Sequence, residues 1–381
     1  MTSSPRRRRP SLPEAGAAAA LFVLCFAALQ TWFWRHGRIV DTPGYHDYAR
    51  AVLDHGLVPY RDFAVEYPPL SLPVFVLPGL VPNYDAAFAG LMAVCGVGAA
   101  LAVLAVDRRA GFYAALAPVL AGSLVLSRFD LWPALLVAVA LLLLVEERDA
   151  AGWAFLGAGV AAKLWPLTLV PLALLWSLRR GRTRAPLAGA AVVAAAFLPF
   201  VVLAPHGIWS SVYGQVSRPL QIESLAASLL TTFGHPTIVE AQSLNVQGHE
   251  RLGAAFSVIQ LLAVAAVWAE FARGPATRAR LLTYSAAAVC AFVAFGKVLS
   301  PQYLLWLIPL VPLAAGRRRA PAVALLTLAC VLTQIWFPLR YWSYVYTFHL
   351  AGVVLARNLV LVALYALLAW PTARARGAPR S

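Results

Sequence analysis

Apolar runs close to the ~20 residues needed to cross a bilayer recur along most of this chain. They fall at 15–34, 84–106, 111–126, 131–145, 150–162, 164–178, 184–204, 251–272, 279–296, 302–315, 320–338 and 348–370. The pattern predicts an all-α polytopic membrane protein, a single bundle of about twelve transmembrane helices over residues 15–370. Short basic tails remain at 1–14 and 371–381. The first run is followed by Thr31-Trp32-Phe33-Trp34, an interfacial aromatic anchor, and not by the small-residue cleavage site of a signal peptide.

Two polar stretches interrupt the apolar pattern. Residues 41–70 read DTPGYHDYARAVLDHGLVPYRDFAVEYPPL and hold five of the sixteen acidic residues. Within them Tyr45, Tyr48, Ala49, Val52 and Leu53 recur at helical spacing and Gly56 supplies a stop. This predicts a short amphipathic helix lying in the interface, with Asp47, Arg50 and Asp54 on its polar side. Pro59, Pro68 and Pro69 should keep the following chain extended. The second stretch, 205–250, reads as a long loop of the kind that serves as a lid or an acceptor-binding element.

Composition sharpens the class. The chain is 61% hydrophobic and 12% charged, and a soluble protein of 381 residues could not hide that much apolar surface. A net charge of +15 invites a nucleic-acid reading, but the basic residues sit in clusters at 6–9, 108–109, 179–184, 273–280, 317–319 and 374–380, between apolar runs. That is the positive-inside pattern, so nucleic acid is not an expected partner. It predicts a cell-membrane protein with both termini cytoplasmic and with 35–70 and 205–250 on the outer face. All seven histidines and both lysines then fall on the outer side. The four cysteines lie far apart inside apolar runs, which supports neither a disulfide framework nor a zinc site.

Several runs are too short to cross fully. The breaks Ser127-Arg128-Phe129-Asp130 and Lys163-Leu164-Trp165-Pro166 would be hairpin tips stopping below the outer surface. Arg128, Asp130, Lys163 and Lys297 would line a wet cavity there, since ionisable groups at depth cost roughly 2.5–3.5 kcal/mol each and usually mark a functional path. The bland alternative is an Arg128–Asp130 ion pair beside a snorkelling Lys163. The sequence has no GxxxxGK[ST], GxSxG or HExxH pattern, nor a paired DxD. What remains is embedded cations suited to a lipid-borne phosphate and a carboxylate suited to general-base activation of a hydroxyl. A flippase would share the spans but should carry polar residues through its full depth. Here they gather toward one side, which favours an enzyme.

Asp41-x-x-x-Tyr45, Gly56…Pro59-Tyr60, Glu66-Tyr67-Pro68-Pro69-Leu70, Lys163-Leu164-Trp165-Pro166 and Ser300-Pro301-Gln302-Tyr303-Leu304-Leu305-Trp306 resemble the GT-C superfamily. Within it the chain is most similar to glycosyltransferase family 87, the polyprenol-phosphate-mannose-dependent mannosyltransferases of actinobacteria. The similarity runs from the first span to about residue 312. The resemblance implies a GT-C-like bundle with a catalytic first outer loop and a polyprenyl-phosphate sugar as co-substrate, with no other cofactor and no metal. The sugar would be mannose, with arabinose or glucose as rivals, moved to a hydroxyl of a lipid-linked or cell-envelope glycan. The base role carries over to Asp41, with Glu66 and Asp47 as competitors. Lys163, Arg218, Lys297 and Arg128 are candidates for the donor phosphate. Tyr45, Tyr67, Gln221, Gln302, Tyr303 and Trp306 are candidates for contacts with sugar or isoprenoid.

Overall fold

The computed structural model describes residues 10–36, 40–240 and 243–370. The basic cluster at 6–9 and the tail at 371–381 lie outside the described residues. Seven described helices are long and apolar enough to cross a membrane: Leu12–Phe33, Tyr84–Val106, Pro186–Leu203, Glu250–Arg273, Arg278–Phe295, Gly316–Trp336 and Ala351–Ala369. They follow the apolar runs closely, because in lipid a segment must satisfy its own backbone hydrogen bonds and a helix does so without partners. Arg278–Phe295 is the central helix, with most of its side chains buried, whereas Pro186–Leu203 and Glu250–Arg273 turn Leu198, Val202, Leu261 and Leu262 outward. An apolar exterior of this kind is what a bilayer accepts.

The remaining apolar runs form shorter pieces. The expected span at 111–126 is broken into Arg108–Ala115, Ala117–Ala121 and Leu124–Ser127. Pro118 lacks the N–H that a continuous helix needs, and Gly122 adopts a positive φ of 60°. Likewise the run at 302–315 becomes Pro301–Tyr303, Leu304–Leu307 and Val311–Leu313, interrupted by Pro309 and Pro312. The chain after Pro68 is not extended as expected. Prolines at first-turn positions start the consecutive short helices Pro69–Ser71, Leu72–Val76 and Leu77–Leu80. The stretch 205–250, expected as a loop, holds the helices Pro205–Ser217 and Leu225–Thr232 and the antiparallel hairpin Thr237–Glu240 with Ser243–Val246.

Close backbone packing locks part of the bundle. A Cβ on Gly157 would collide with the Gly189 carbonyl oxygen, so Asp149–Ala162 and Pro186–Leu203 cross with their backbones in contact. The two ends of the bundle differ in chemistry. At one end Arg108 meets Glu14 at 2.9 Å, Arg319 reaches Asp107 at 2.9 Å and Arg180 meets Glu147 at 3.1 Å. At the other, the His46 ring stacks on Tyr84 with centroids 4.4 Å apart, and the chain between the helices converges on a polar cavity.

Candidate active site

The cavity is about 390 Å³ and draws its lining from seven separate stretches of chain. The first is the helix Thr42–Leu53, which forms as the sequence pattern predicts and is released by Gly56 at φ 61°. Tyr45 and Ala49 are buried on its inner face, while Asp47 is exposed and Arg50 pairs with Asp54 at 3.7 Å in solvent. Tyr45 stacks on Phe75 with centroids 4.4 Å apart and lies edge-on to Phe129 at 5.9 Å. This aromatic packing anchors the helix start, where Asp41 stands.

Asp41 is half-buried and pairs with the Arg128 guanidinium, and the Tyr45 hydroxyl donates to it at 3.4 Å. Arg128 lies between the pieces of chain Leu124–Ser127 and Leu131–Val145, in an extended conformation, and makes its ion pair with Asp41 and not with Asp130, which begins the next helix. Asp130 is 1% exposed and instead accepts from Lys163 Nζ at 2.7 Å and from the Trp306 indole at 2.6 Å. Lys163 sits above the Phe129 ring at 4.5 Å, and Trp306 is sandwiched between Trp165 and Tyr303. The two hairpin tips are thus tied together behind the cavity wall by a buried ion pair.

On the opposite wall, Arg218 faces Glu66 at 3.8 Å, and Gln215 donates to the Glu66 carbonyl at 2.8 Å. The segment after Arg218 is pinned by long-range hydrogen bonds. Gln221 N–H donates to the Lys297 carbonyl at 3.0 Å and its amide reaches Ser300 at 3.1 Å, while Ile222 N–H donates to Leu244 at 3.0 Å. Arg357 and Asn358, buried in the last spanning helix, donate to the Glu223 carbonyl at 2.9 and 3.1 Å. The Glu223 carboxylate accepts from the Tyr341 hydroxyl at 3.4 Å and is otherwise unpartnered at Oε2. Burial pushes its pKa up to about 7, against the opposing pull of Arg357, Tyr341 and Arg128.

Of the residues singled out from sequence, Asp41, Glu66, Arg128, Arg218, Tyr45, Tyr67, Gln221 and Gln302 line this cavity. Asp47, Lys163, Lys297, Tyr303 and Trp306 are not in its lining. The stem of Lys297 lies beside Gly253, 3.9 Å from where a Cβ would stand. Glu223, Tyr341, Tyr48 and Ser300 line the cavity without having been singled out. The signal for Glu223 and Ser300 was present in the polar words they belong to, whereas that for Tyr341 was not. Among the described residues no three His, Cys, Asp or Glu side chains cluster as metal ligands. The wall therefore carries the carboxylates Asp41, Glu66 and Glu223 against the guanidiniums Arg128 and Arg218, a near-neutral set poised between anion and hydroxyl chemistry.

A recessed polar cavity thus opens at one end of a multi-pass helical bundle. The solved structure of ArnT from Cupriavidus metallidurans, bound to undecaprenyl phosphate, shares the fold with a TM-score of 0.52 at 14% identity, over 94% of this chain and 76% of that one. Residues 65–301 match glycosyltransferase family 87, and the chain belongs to that family. No curated protein matches it. It is a multi-pass membrane glycosyltransferase.

Proposed function

We propose that this protein transfers a sugar, mannose, from a polyprenyl-phosphate donor to a hydroxyl of a lipid-linked or cell-envelope glycan, with Asp41 as general base. The observation that carries the reading is the Asp41–Arg128 pair on the cavity wall, facing the Glu66–Arg218 pair. A polyprenyl-phosphate sugar is a phosphodiester with one negative charge, and its leaving group takes a second as the glycosidic bond breaks. Arg128 and Arg218 are the guanidiniums available in the cavity to stabilise that developing charge. The acceptor hydroxyl gives its proton to Asp41, its oxygen bonds to the anomeric carbon, and the electrons of the broken bond leave on the phosphate oxygen. Lys163 supports the site through Asp130, and the resting Asp41–Arg128 contact opens when the phosphate takes over the guanidinium. The related fold of ArnT bound to undecaprenyl phosphate supports the choice of donor. The arginine-rich turns at the opposite end of the bundle support an outward-facing cavity.

The test is transfer of label from polyprenol-phosphate mannose in membranes containing the wild type or Asp41→Asn. Loss of about 10²-fold or more in rate, with folded protein, is the expected result for a missing base. Transfer that survives moves the base role to Glu66. Transfer only from the arabinose or glucose analogue keeps the chemistry and replaces the sugar.

A further inference from the structure

A second cavity, about 470 Å³, lies on the far side of the Glu66–Arg218 pair and shares both residues with the first. One wall is the chain leading to Glu66, and the other is the helix Pro205–Ser217. Gly207, Ser210, Ser211 and Gly214 face it at i, i+3, i+4 and i+7, one stripe of that helix. The stripe is wedge-shaped. At Gly207 a Cβ would collide with the Tyr60 carbonyl oxygen, so helix and loop touch there. Two turns on, at Gly214, nothing lies within 4 Å and the wedge stands open.

The opposite face of the same helix exposes Trp209, Tyr213 and Val216, again at i, i+4 and i+7. The helix is therefore apolar and aromatic on its outside, and small and hydroxyl-bearing toward the cavity. Glycosyl transfer needs a second substrate held beside the donor, and a polar cavity that shares the Glu66–Arg218 wall with the first offers that place. We propose that this second cavity holds the hydroxyl-rich head of the acceptor glycan. Arg218 and Glu66 then form a partition between donor and acceptor, and the acceptor hydroxyl reaches Asp41 past them. This rests on the donor reading given above for the first cavity.

The experiment uses the full chain in detergent, with octyl mannoside as acceptor probe and undecaprenyl phosphate as donor-site probe. Gly214→Phe fills the open end of the wedge at a position where no atom stands in the way. It should raise the octyl mannoside concentration for half-maximal transfer at least ~10-fold and leave that for polyprenol-phosphate mannose unchanged. A shift in the donor value instead, or in neither, overturns the assignment. Ser211→Cys gives a readout independent of turnover. Octyl mannoside should slow its maleimide labelling, and undecaprenyl phosphate should not. Protection by undecaprenyl phosphate alone, or by neither probe, overturns the proposal. Protection by octyl mannoside in a protein that transfers no sugar upholds the glycan site and removes the donor reading alone.

Discussion

At the scale of single residues, the site is built from charges that cancel locally. Asp130 is buried and Lys163 half-buried, and the buried carboxylate is tolerable because the ammonium pairs with it. Asp130→Ala would leave an unpaired ammonium in the wall and should cost about 3–5 kcal/mol, read as a lower Tm in detergent. The double change Asp130→Leu with Lys163→Met should recover most of that loss, since no charge is then stranded. Glu223 sets a pH dependence whose sign follows from its surroundings. Its folded pKa, about 7, lies above the ordinary value of 4.5, so the folded state holds a proton that the unfolded chain has released. The stability it contributes is complete below about pH 4.5 and is lost as pH rises through 7. Stability, read as Tm, should therefore fall between about pH 5 and 7, by at most about 1.4 kcal/mol per pH unit, and Glu223→Gln should flatten the profile. An unchanged slope in Glu223→Gln would assign the effect to another group. The sequence around Glu223 did not reveal its environment, because its partners Tyr341, Arg357 and Asn358 come from the far end of the chain.

At the scale of elements, helix ends and helix contacts decide what the apolar runs become. The runs at 84–106 and 131–145 read as helices and are helices, Tyr84–Val106 with Asn83 capping the Ala86 N–H at 3.1 Å and Leu131–Val145 without a break. The run at 111–126 looked equally apolar, but Pro118 and Gly122 turn it into three short pieces. Those breaks let the chain stop short and present Arg128 at the cavity. The contact between Gly157 and Gly189 has a direct test. Gly189→Leu drives a side chain into the Trp153 backbone, 2.7 Å from where its Cβ would stand, and should cost roughly 1–3 kcal/mol, seen as a lower Tm. Gly214→Leu, which meets open space on another helix, is the matched control and should leave Tm nearly unchanged.

At the scale of the whole molecule, the two ends of the bundle carry different chemistry, and orientation follows from which end holds the arginines. With the arginine-rich turns inside, a thiol reagent that cannot cross the membrane should label Thr232→Cys in intact cells and spare Thr183→Cys until the membrane is opened. Both positions are exposed, and three of the four native cysteines are buried, so background labelling is low. The reverse pattern would turn the cavity inward and require a donor on the inner leaflet.

The sequence by itself determined the membrane class, the positions of the long helices and the amphipathic helix at Thr42–Leu53. Each of these depends on local pattern: run length, helical periodicity, a glycine stop, clusters of arginine. Tertiary structure alone decided which charges meet. Arg128 turned to Asp41 across the fold and left its neighbour Asp130 to Lys163 and Trp306. Glu223 and Tyr341 entered the cavity, while Asp47, Lys297 and Trp306 stayed out of its lining. Ion pairs in an apolar bundle are chosen by geometry over long sequence separations, because a buried charge takes whichever partner the packing brings within reach.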